Sequence, residues 1–394
     1  MGLSSSLTST PPPATSFPRD TAVQVEVYGT KDWARIAQSW SELHKESPHS
    51  SFYLSADWTA AWLEVFGGLL QPQFLLFKAE ELTVGACLLV ESQERRGPFK
   101  VRRIYLNTVG GDPEDRTLME FNNVLCLAGW EDRVAAALGA HLQKLEWDEF
   151  VIEGVLPGPV LTSMQSRCFP DLAAPAVSVM PSYYVDLDEL RQRGLAYETL
   201  LSPNTREQIR RSVKLYGKIG EIAVDVAVDL RTAEAYFKEM CRLHQSTWLA
   251  RGESGAFAPG RRLNFHRALI RRVFPNGGIQ MVRVSVGDET IGILYNFIER
   301  GKVYFFQSGF QYRPEKHLKP GLVTHSCAVR FCLTAGYREY DFLAGDARYK
   351  RSLAKTSRPM AWVVFARPRL KLAVIETLRV CKSRARKFGR GLLR

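Results

Sequence analysis

The chain lacks the long apolar runs and the short catalytic signatures by which many proteins are recognised. No stretch of its 394 residues approaches the roughly 20 apolar residues that a membrane-spanning helix needs. There is no GxxxxGKS/T loop and no GxGxxG after a predicted strand, so the usual marks of nucleotide-dependent phosphoryl or hydride transfer are missing. A GxSxG nucleophile elbow is also missing, which removes one common type of hydrolase.

Paired cysteines are missing as well. The seven cysteines are widely spaced, include no CxxC pair, and do not cluster with histidines at zinc-ligand spacing. Their odd number and their positions in apolar runs indicate reduced thiols in a reducing compartment. We therefore predict a cytoplasmic protein without a metal site.

Acidic residues are scarce at the C-terminal end. Residues 367–394 contain ten Lys or Arg and one Glu, and so hold most of the net charge of +12. One interpretation is a surface for anionic lipid, which allows peripheral membrane contact. The other is a solvated basic helix that packs on the preceding domain, because its apolar residues recur at helical spacing. These residues are Leu370, Val374, Ile375, Leu378 and Cys381.

The order of predicted elements repeats once along the chain. Strands at 23–28, 73–78, 83–91, 100–107 and 149–154, with helices at 33–45, 56–66 and 131–145, make up the first half. Strands at 222–228, 278–286, 290–298, 302–309 and 337–343, with helices at 233–250, 261–274 and 320–335, repeat that order, and a strand at 360–366 follows. This predicts two mixed α/β domains of one type, at 21–190 and 191–368. A disordered Ser, Thr and Pro-rich leader (1–20) would precede them, and a basic amphipathic tail helix (369–394) would follow.

A basic loop leads into the predicted helix that begins at Pro320-Gly321. Proline suits a first helical turn, and glycine lets a ligand approach the backbone. The exposed N–H groups and the positive helix end favour a phosphate, and Arg313, Lys316, His317 and Lys319 add positive charge. The pyrophosphate of coenzyme A fits such a site, although an ordinary capped helix explains the same residues.

The segment YDFLAGDARYK (340–350) carries the second group of candidates. Asp341 ends a strand that should be buried, so it needs a partner, and Lys350 or Arg348 is the predicted one. In a functional interpretation Asp341 or Asp346 accepts a proton or orients the acceptor, and Tyr349 gives a proton to the leaving thiolate. In a structural interpretation Asp341 forms a salt bridge that holds the loop.

A third candidate is His244, four residues before Trp248 and therefore on the same helix face. It suits a general base near pH 7, whereas a lone histidine on an apolar face is often a hydrogen-bonded core residue.

These segments resemble a known family. LHQSTWLARGESGAF, HLKPGLVTHSCAVR and AGYREYDFLAGDARYK are similar to the CelD-type (BioF2-like) acetyltransferase domain, a branch of the GNAT superfamily. SFYLSADWTAAWLEVFG resembles the start of its companion N-terminal half. The resemblance implies tandem GNAT-like domains, as in the Fem peptidoglycan aminoacyltransferases, with acetyl-CoA or another acyl-CoA as donor. Two departures stand out: the usual pyrophosphate loop is reduced to Lys319-Pro320-Gly321, and in the first half Gly110-Gly111 is followed by acidic residues.

The resemblance implies an acyltransferase acting on an amine or hydroxyl of a small-molecule or glycan-precursor acceptor, in exopolysaccharide or cell-envelope synthesis. The donor would bind between diverging strands near 303–309 and 337–343, and the first domain would be degenerate. Two alternatives stay open: a Fem-like enzyme that uses aminoacyl-tRNA, and a non-catalytic scaffold. The expected catalytic residues are Asp341, Asp346, Tyr349 and His244; the expected donor-binding residues are Phe306, Gln307, Ser308, Lys319, Pro320, Gly321 and Lys350; the expected acceptor-binding residues are Trp248 and Tyr304.

Overall fold

The computed structural model describes residues 21–108 and 117–379. The predicted leader, the Gly110-Gly111 loop and the tail beyond residue 379 lie outside the described residues. The elements of the first half are β1 (Gln24–Tyr28), α1 (Trp33–Glu46), α2 (Ala56–Phe66), β2 (Gln73–Ala79), β3 (Leu82–Arg96), β4 (Phe99–Leu106), β5 (Leu125–Cys126), α3 (Glu131–Gln143), β6 (Glu149–Val155) and α4 (Pro159–Ser163).

The chain continues with β7, which still lies before residue 190, and then with a similar set of elements in the second half. They are β7 (Ala176–Asp186), α5 (Leu187–Gln192), α6 (Pro203–Tyr216), β8 (Ile222–Val226), α7 (Leu230–Leu249), α8 (Arg261–Val273), β9 (Ile279–Val286), β10 (Glu289–Glu299), β11 (Lys302–Phe310), α9 (Pro320–Thr334), β12 (Glu339–Ala344), α10 (Arg348–Leu353) and β13 (Thr356–Ala366). Residues 370–379 are also helical. The predicted repeat of strand, two helices, three strands, helix and strand is confirmed in both halves.

All described strands belong to one mixed sheet. Its order is β1-β2-β3-β4-β6-β13-β7-β12-β11-β10-β9-β8, with β5 beside β3. Pairing is parallel between β4 and β6 and between β11 and β12, and antiparallel between the other neighbours in this order. The two halves therefore repeat one strand arrangement about the β13–β7 pair.

The two central strands, β7 and β13, are exchanged between the halves. β7 precedes the second half in sequence but pairs with β12, whereas β13 follows the second half and pairs with β6. The two strands pair with each other from Thr356↔Tyr184 to Val364↔Ala176. This differs from two domains divided at residue 190, because each half completes its sheet with a strand from the other half's stretch of sequence.

One apolar core joins the two halves. Phe52 stacks on Phe297 with ring centroids 4.5 Å apart, and Trp58 meets Phe265 edge-to-face at 4.8 Å. These rings belong to one buried cluster that contains α1, α2, α7 and α8. Because interiors are closely packed, a shared core holds the halves in a fixed relation.

Candidate active site

Strands β11 and β12 diverge after a short parallel pairing. They pair only from Lys302↔Glu339 to Tyr304↔Asp341, although β11 continues to Phe310 and β12 to Ala344. A shift of register against β10 leaves Phe306 as the extra residue of a β-bulge. The predicted divergence of these strands is confirmed, and it opens a notch in the sheet.

A cleft of about 670 Å³ adjoins this notch. Its walls are α7, β11, the loop before α9, the start of α9 and the start of α10. Eight of the predicted site residues line it together: His244, Trp248, Gln307, Ser308, Lys319, Pro320, Gly321 and Tyr349. Sequence reasoning thus located one continuous surface from three separated segments.

The start of α9 faces this cleft without a side-chain cap. Lys319 is the N-cap residue, and its side chain makes no capping hydrogen bond. The Lys319 N–H donates to Ser212 Oγ at 2.9 Å, which fixes the helix start against α6. A Cβ added to Gly321 would lie 3.4 Å from the Phe310 ring, in ordinary van der Waals contact, so a side chain can be accommodated at the helix start. The uncapped N–H groups and the positive helix end favour an anion here.

The cleft is basic around that helix start. Arg251, Arg313, Lys316 and Lys319 line it, against one acidic residue, Glu315. Arg313 is also paired with Glu289. Sequence reasoning did not include Arg251 among the site residues. Arg251 lies less than one helical turn after Trp248, so its closeness to a predicted acceptor-binding residue was a usable signal.

His244 connects α7 to β11. Its Nδ1 lies 3.0 Å from the Ser308 carbonyl oxygen, and its Nε2 accepts from the Ala256 N–H at 3.2 Å. These bonds place the ring proton on Nδ1, and burial lowers the pKa of His244, so the ring is neutral. Its role as a general base stays a prediction and would require release of the Ala256 bond.

Tyr349 stacks on His325 in the cleft wall. The rings are 5.6 Å apart with an interplanar angle of 17°. Burial raises the pKa of Tyr349, and the Glu120 carboxylate raises it further, so the phenol is protonated at neutral pH and can donate. Burial lowers the pKa of His325 to about 3, so this imidazole is neutral. Sequence reasoning missed His325 as a site residue, although its place one turn into α9 was a usable signal.

Asp341 lies outside the cleft, fully buried in the sheet. Its Oδ1 accepts from Ser182 Oγ at 2.8 Å and from the Leu343 N–H at 2.6 Å, and its Oδ2 lies 3.4 Å from the Arg358 guanidinium. The predicted ion-pair partner, Lys350 or Arg348, is therefore wrong, because β13 brings Arg358 beside β12 through non-local pairing. Burial raises the pKa of Asp341 to about 6, and Arg358 offsets part of that rise.

The other predicted residues also lie away from the cleft lining. Lys350 Nζ donates to the carbonyl oxygens of Leu343 and Ala344, at 3.0 and 2.6 Å. Asp346 is exposed, where it accepts from Tyr183 at 3.1 Å and pairs with Arg351 at 2.7 Å.

Two predicted aromatic residues point into the core. The Phe306 ring lies 4.7 Å from the ring of His266. Tyr304 is buried and lies 5.1 Å from the ring of Phe121 in the first half. Phe306 could therefore contribute to the notch only through its backbone.

In the first half, the equivalent notch between β4 and β6 is filled by the chain itself. Asn122 bridges to Val155, its N–H donates to the Gly154 carbonyl at 2.9 Å, and its side chain donates to the Leu106 carbonyl at 2.9 Å. A Cβ on Gly154 would come within 2.4 Å of the Met119 oxygen, so this packing needs glycine. A donor could not enter here as it could between β11 and β12.

Neither a metal cluster nor a membrane-spanning helix occurs in the described part of the chain. Within residues 21–108 and 117–379, no three His, Cys, Asp or Glu residues are grouped so that they could hold a metal ion. In the same residues, no helix is both long and apolar enough to cross a membrane.

Comparison with known proteins agrees with this geometry. Residues 203–351 match the family model of the acetyltransferase (GNAT) domain. No curated protein matches the chain. Among solved structures, FemX is similar with a TM-score of 0.52 and 10% identity, covering 83% of this chain and 95% of FemX. L-PGS from Bacillus licheniformis is similar with a TM-score of 0.50 and 10% identity, covering 86% and 95%.

A further similar structure is a conserved protein of unknown function from Bacteroides thetaiotaomicron. Its TM-score is 0.51 and its identity is 12%, covering 88% of this chain and 100% of that protein. At such identities the likeness concerns the fold alone. The family match covers the segment that carries the open notch, the uncapped helix start and most of the basic cleft. Residues 203–351 are therefore similar to the acetyltransferase domain of the GNAT superfamily, within a chain built from two halves of one repeated fold.

Proposed function

We propose that the chain transfers an acyl group from acyl-CoA, with acetyl-CoA as the first donor to test, to an acceptor held where the two halves meet. One observation carries this proposal: the open notch between β11 and β12 continues into a basic cleft that ends at the uncapped start of α9. A long thioester with a phosphate-rich end suits that shape and charge.

Different residues of the chain would bind the donor, orient its thioester and transfer the proton. Lys316, Lys319 and the N–H groups of Gly321 and Leu322 would hold the pyrophosphate. The backbone of β11 near its bulge would orient the thioester, which supplies the activated acyl group. The protonated Tyr349 phenol would give a proton to the departing thiolate. Binding the acceptor and the thioester next to each other would account for much of the rate enhancement, because a reaction within one complex replaces a bimolecular encounter.

Acetyl-CoA binding tests the donor. Isothermal titration calorimetry on the intact chain should show binding, and Gly321→Glu should weaken it by about tenfold or more, because a carboxylate at the helix start repels phosphate. The same substitution at Gly68, where an added Cβ meets nothing within 4 Å, is the matched control and should bind like the unmodified chain.

Two results would contradict the donor site. Equal weakening by Gly68→Glu would mean that the effect is not local to α9. Absence of binding by the unmodified chain would favour the aminoacyl-tRNA alternative, which loss of transfer after ribonuclease treatment would test.

A membrane surface is the proposed location of this cytoplasmic enzyme. On the helical segment 370–379, Leu370 and Leu378 are 83% and 56% exposed, and Val374 between them is also exposed. Their spacing of four residues puts them on one face. Lys371 ties the segment to the first half, with Nζ 2.5 Å from the Asp148 carboxylate. An exposed apolar stripe in a strongly basic stretch is suited to binding the surface of an anionic bilayer. At that surface the enzyme would also reach a glycan-precursor acceptor anchored in lipid.

A further inference from the structure

Helix α6 forms the outer rim of the cleft at the start of α9. The Lys319 N–H donates to Ser212 Oγ of α6, as described above. Tyr216, at the end of α6, belongs to the same buried apolar cluster as Leu318, which lines the cleft. The exposed side of α6 therefore lies next to the place where a donor's phosphate would bind.

The exposed side of α6 and the turn after it carry an excess of positive charge. Residues 206–218 contain five Lys or Arg and one acidic residue, Glu207. Arg211 and Lys214 lie three residues apart and share one helix face, and Lys218 follows in the turn. All three side chains are exposed, and none of them forms an ion pair with another described residue. Such a surface favours a negatively charged partner.

Binding of acyl-CoA alone does not explain this surface. Arg211, Lys214 and Lys218 are not among the residues that line the cleft, which has lysines and arginines of its own. Ile219, directly after Lys218, is 48% exposed. Exposed apolar area framed by cations is typical of a surface that binds another macromolecule. We call Arg211, Lys214, Lys218 and Ile219 the α6 rim.

The start of α9 offers hydrogen-bond donors for one phosphate. Pro320 has no N–H, the Lys319 N–H is bonded to α6, and the Val323 N–H donates to the Lys319 carbonyl oxygen at 3.1 Å. The N–H groups of Gly321 and Leu322 make no hydrogen bond with the described residues. Two adjacent N–H groups match the two unbridged oxygens of a single phosphodiester.

His325 provides a polar contact deeper in the cleft. It lines the cleft although it is only 2% exposed, and its Nδ1 has no hydrogen-bond partner among the described residues. A buried polar atom without a partner costs free energy, and a bound ligand that hydrogen-bonds to it removes that cost. The amide and hydroxyl groups of a pantetheine arm suit this position.

We propose that the α6 rim docks a small acidic carrier protein that delivers the acyl group on a phosphopantetheine arm. This inference rests on the proposed acyl transfer and names a second source of the thioester. CoA has the same arm, so the span from phosphate to thioester is the same for both donors. The acceptor atom bonds to the acyl carbon, the C–S bond breaks, and the acceptor's proton ends on the thiol. The thiol leaves with the carrier.

Calorimetric titration of an acyl carrier protein of bacterial fatty-acid synthesis into the intact chain tests this proposal. The carrier is used with an acetylated arm and without an arm, and acetyl-CoA is titrated in parallel. The double variant Arg211→Glu, Lys214→Glu reverses two charges of the α6 rim. The matched control is Arg267→Glu with Arg272→Glu, because these are exposed arginines of α8, away from the cleft.

We expect the acetylated carrier to bind with a Kd of about 1–100 μM, and more weakly as salt is added. The arm-free carrier should bind about tenfold more weakly, because it makes no contact inside the cleft. Charge reversal on the α6 rim should weaken binding of the acetylated carrier about tenfold or more and leave acetyl-CoA affinity unchanged. The α8 control should bind both donors like the unmodified chain.

Three results would overturn this inference and leave the proposed function intact. The first is binding of acetyl-CoA without binding of the acetylated carrier. The second is equal weakening by the two double variants. The third is binding of tRNA, and not of the carrier, that charge reversal on the α6 rim removes. An unmodified chain that binds neither acetyl-CoA nor the acetylated carrier would instead contradict the proposed acyl transfer itself.

Discussion

At the scale of single residues, Asp341 shows how one sequence pattern allows two roles. A carboxylate in an apolar strand predicted either a catalytic base or a structural ion pair. Its contacts with Ser182, the Leu343 N–H and Arg358 use both carboxylate oxygens inside the sheet. These contacts favour the structural role, because Asp341 is fully buried and is not among the residues that line the cleft.

Replacement of Asp341 should therefore reduce stability. Asp341→Ala removes the acceptor of the Ser182 hydroxyl and the Leu343 N–H and leaves Glu339 as the carboxylate paired with Arg358, so it should lower the free energy of unfolding by about 3 kcal/mol. Urea denaturation followed by circular dichroism measures this change. Asp346→Ala removes an exposed carboxylate and should cost under about 1 kcal/mol. Equal stability of the two variants would contradict the structural role of Asp341.

At the scale of elements, the bounds of the helices could be predicted from the sequence more readily than the contacts that their faces make. Predicted bounds for α2 agree with the structure at Ala56–Phe66, and α9 begins at the predicted Pro320. The helical spacing in 370–379 was equally clear. Which side of it packs was left open between the domain and a membrane, and the exposure of Leu370 and Leu378 is the observation on which the membrane proposal rests.

Vesicle binding tests that surface. Sedimentation with vesicles of phosphatidylcholine and phosphatidylglycerol should retain the unmodified chain, whereas vesicles of phosphatidylcholine alone should retain much less. The double variant Leu370→Ser, Leu378→Ser should bind about tenfold more weakly, because it removes two apolar side chains from the contact. Leu69→Ser with Val228→Ser, exposed apolar residues elsewhere, is the control. Equal loss in both double variants would argue against a specific face.

At the scale of the whole molecule, the exchanged strands make one folding unit of the two halves. β13 contributes the partner for β6, and β7 contributes the partner for β12. Removing either strand would expose the backbone groups of two neighbours, and unpaired sheet edges promote aggregation.

Truncation tests this dependence. A chain ending at Lys355 lacks β13 and should be aggregated, or should lose the cooperative thermal transition seen by circular dichroism. A chain ending at Arg379 retains every described element and should unfold in one transition, because both halves share a core. Independent folding of the shorter chain would contradict a single unit.

The amino-acid sequence by itself determined the local elements, their twofold repetition and eight of the residues that line the cleft. Hydrophobic periodicity and a Pro-Gly helix start are local signals, so 233–250, 302–309 and Pro320-Gly321 could be interpreted without tertiary contacts. Only the tertiary structure decided that β7 and β13 exchange halves, that Arg358 neutralises Asp341, and that α6 packs beside the start of α9. Each of these depends on strand pairing or packing between residues far apart in the chain, where register is set by the whole sheet and no short pattern records the partner.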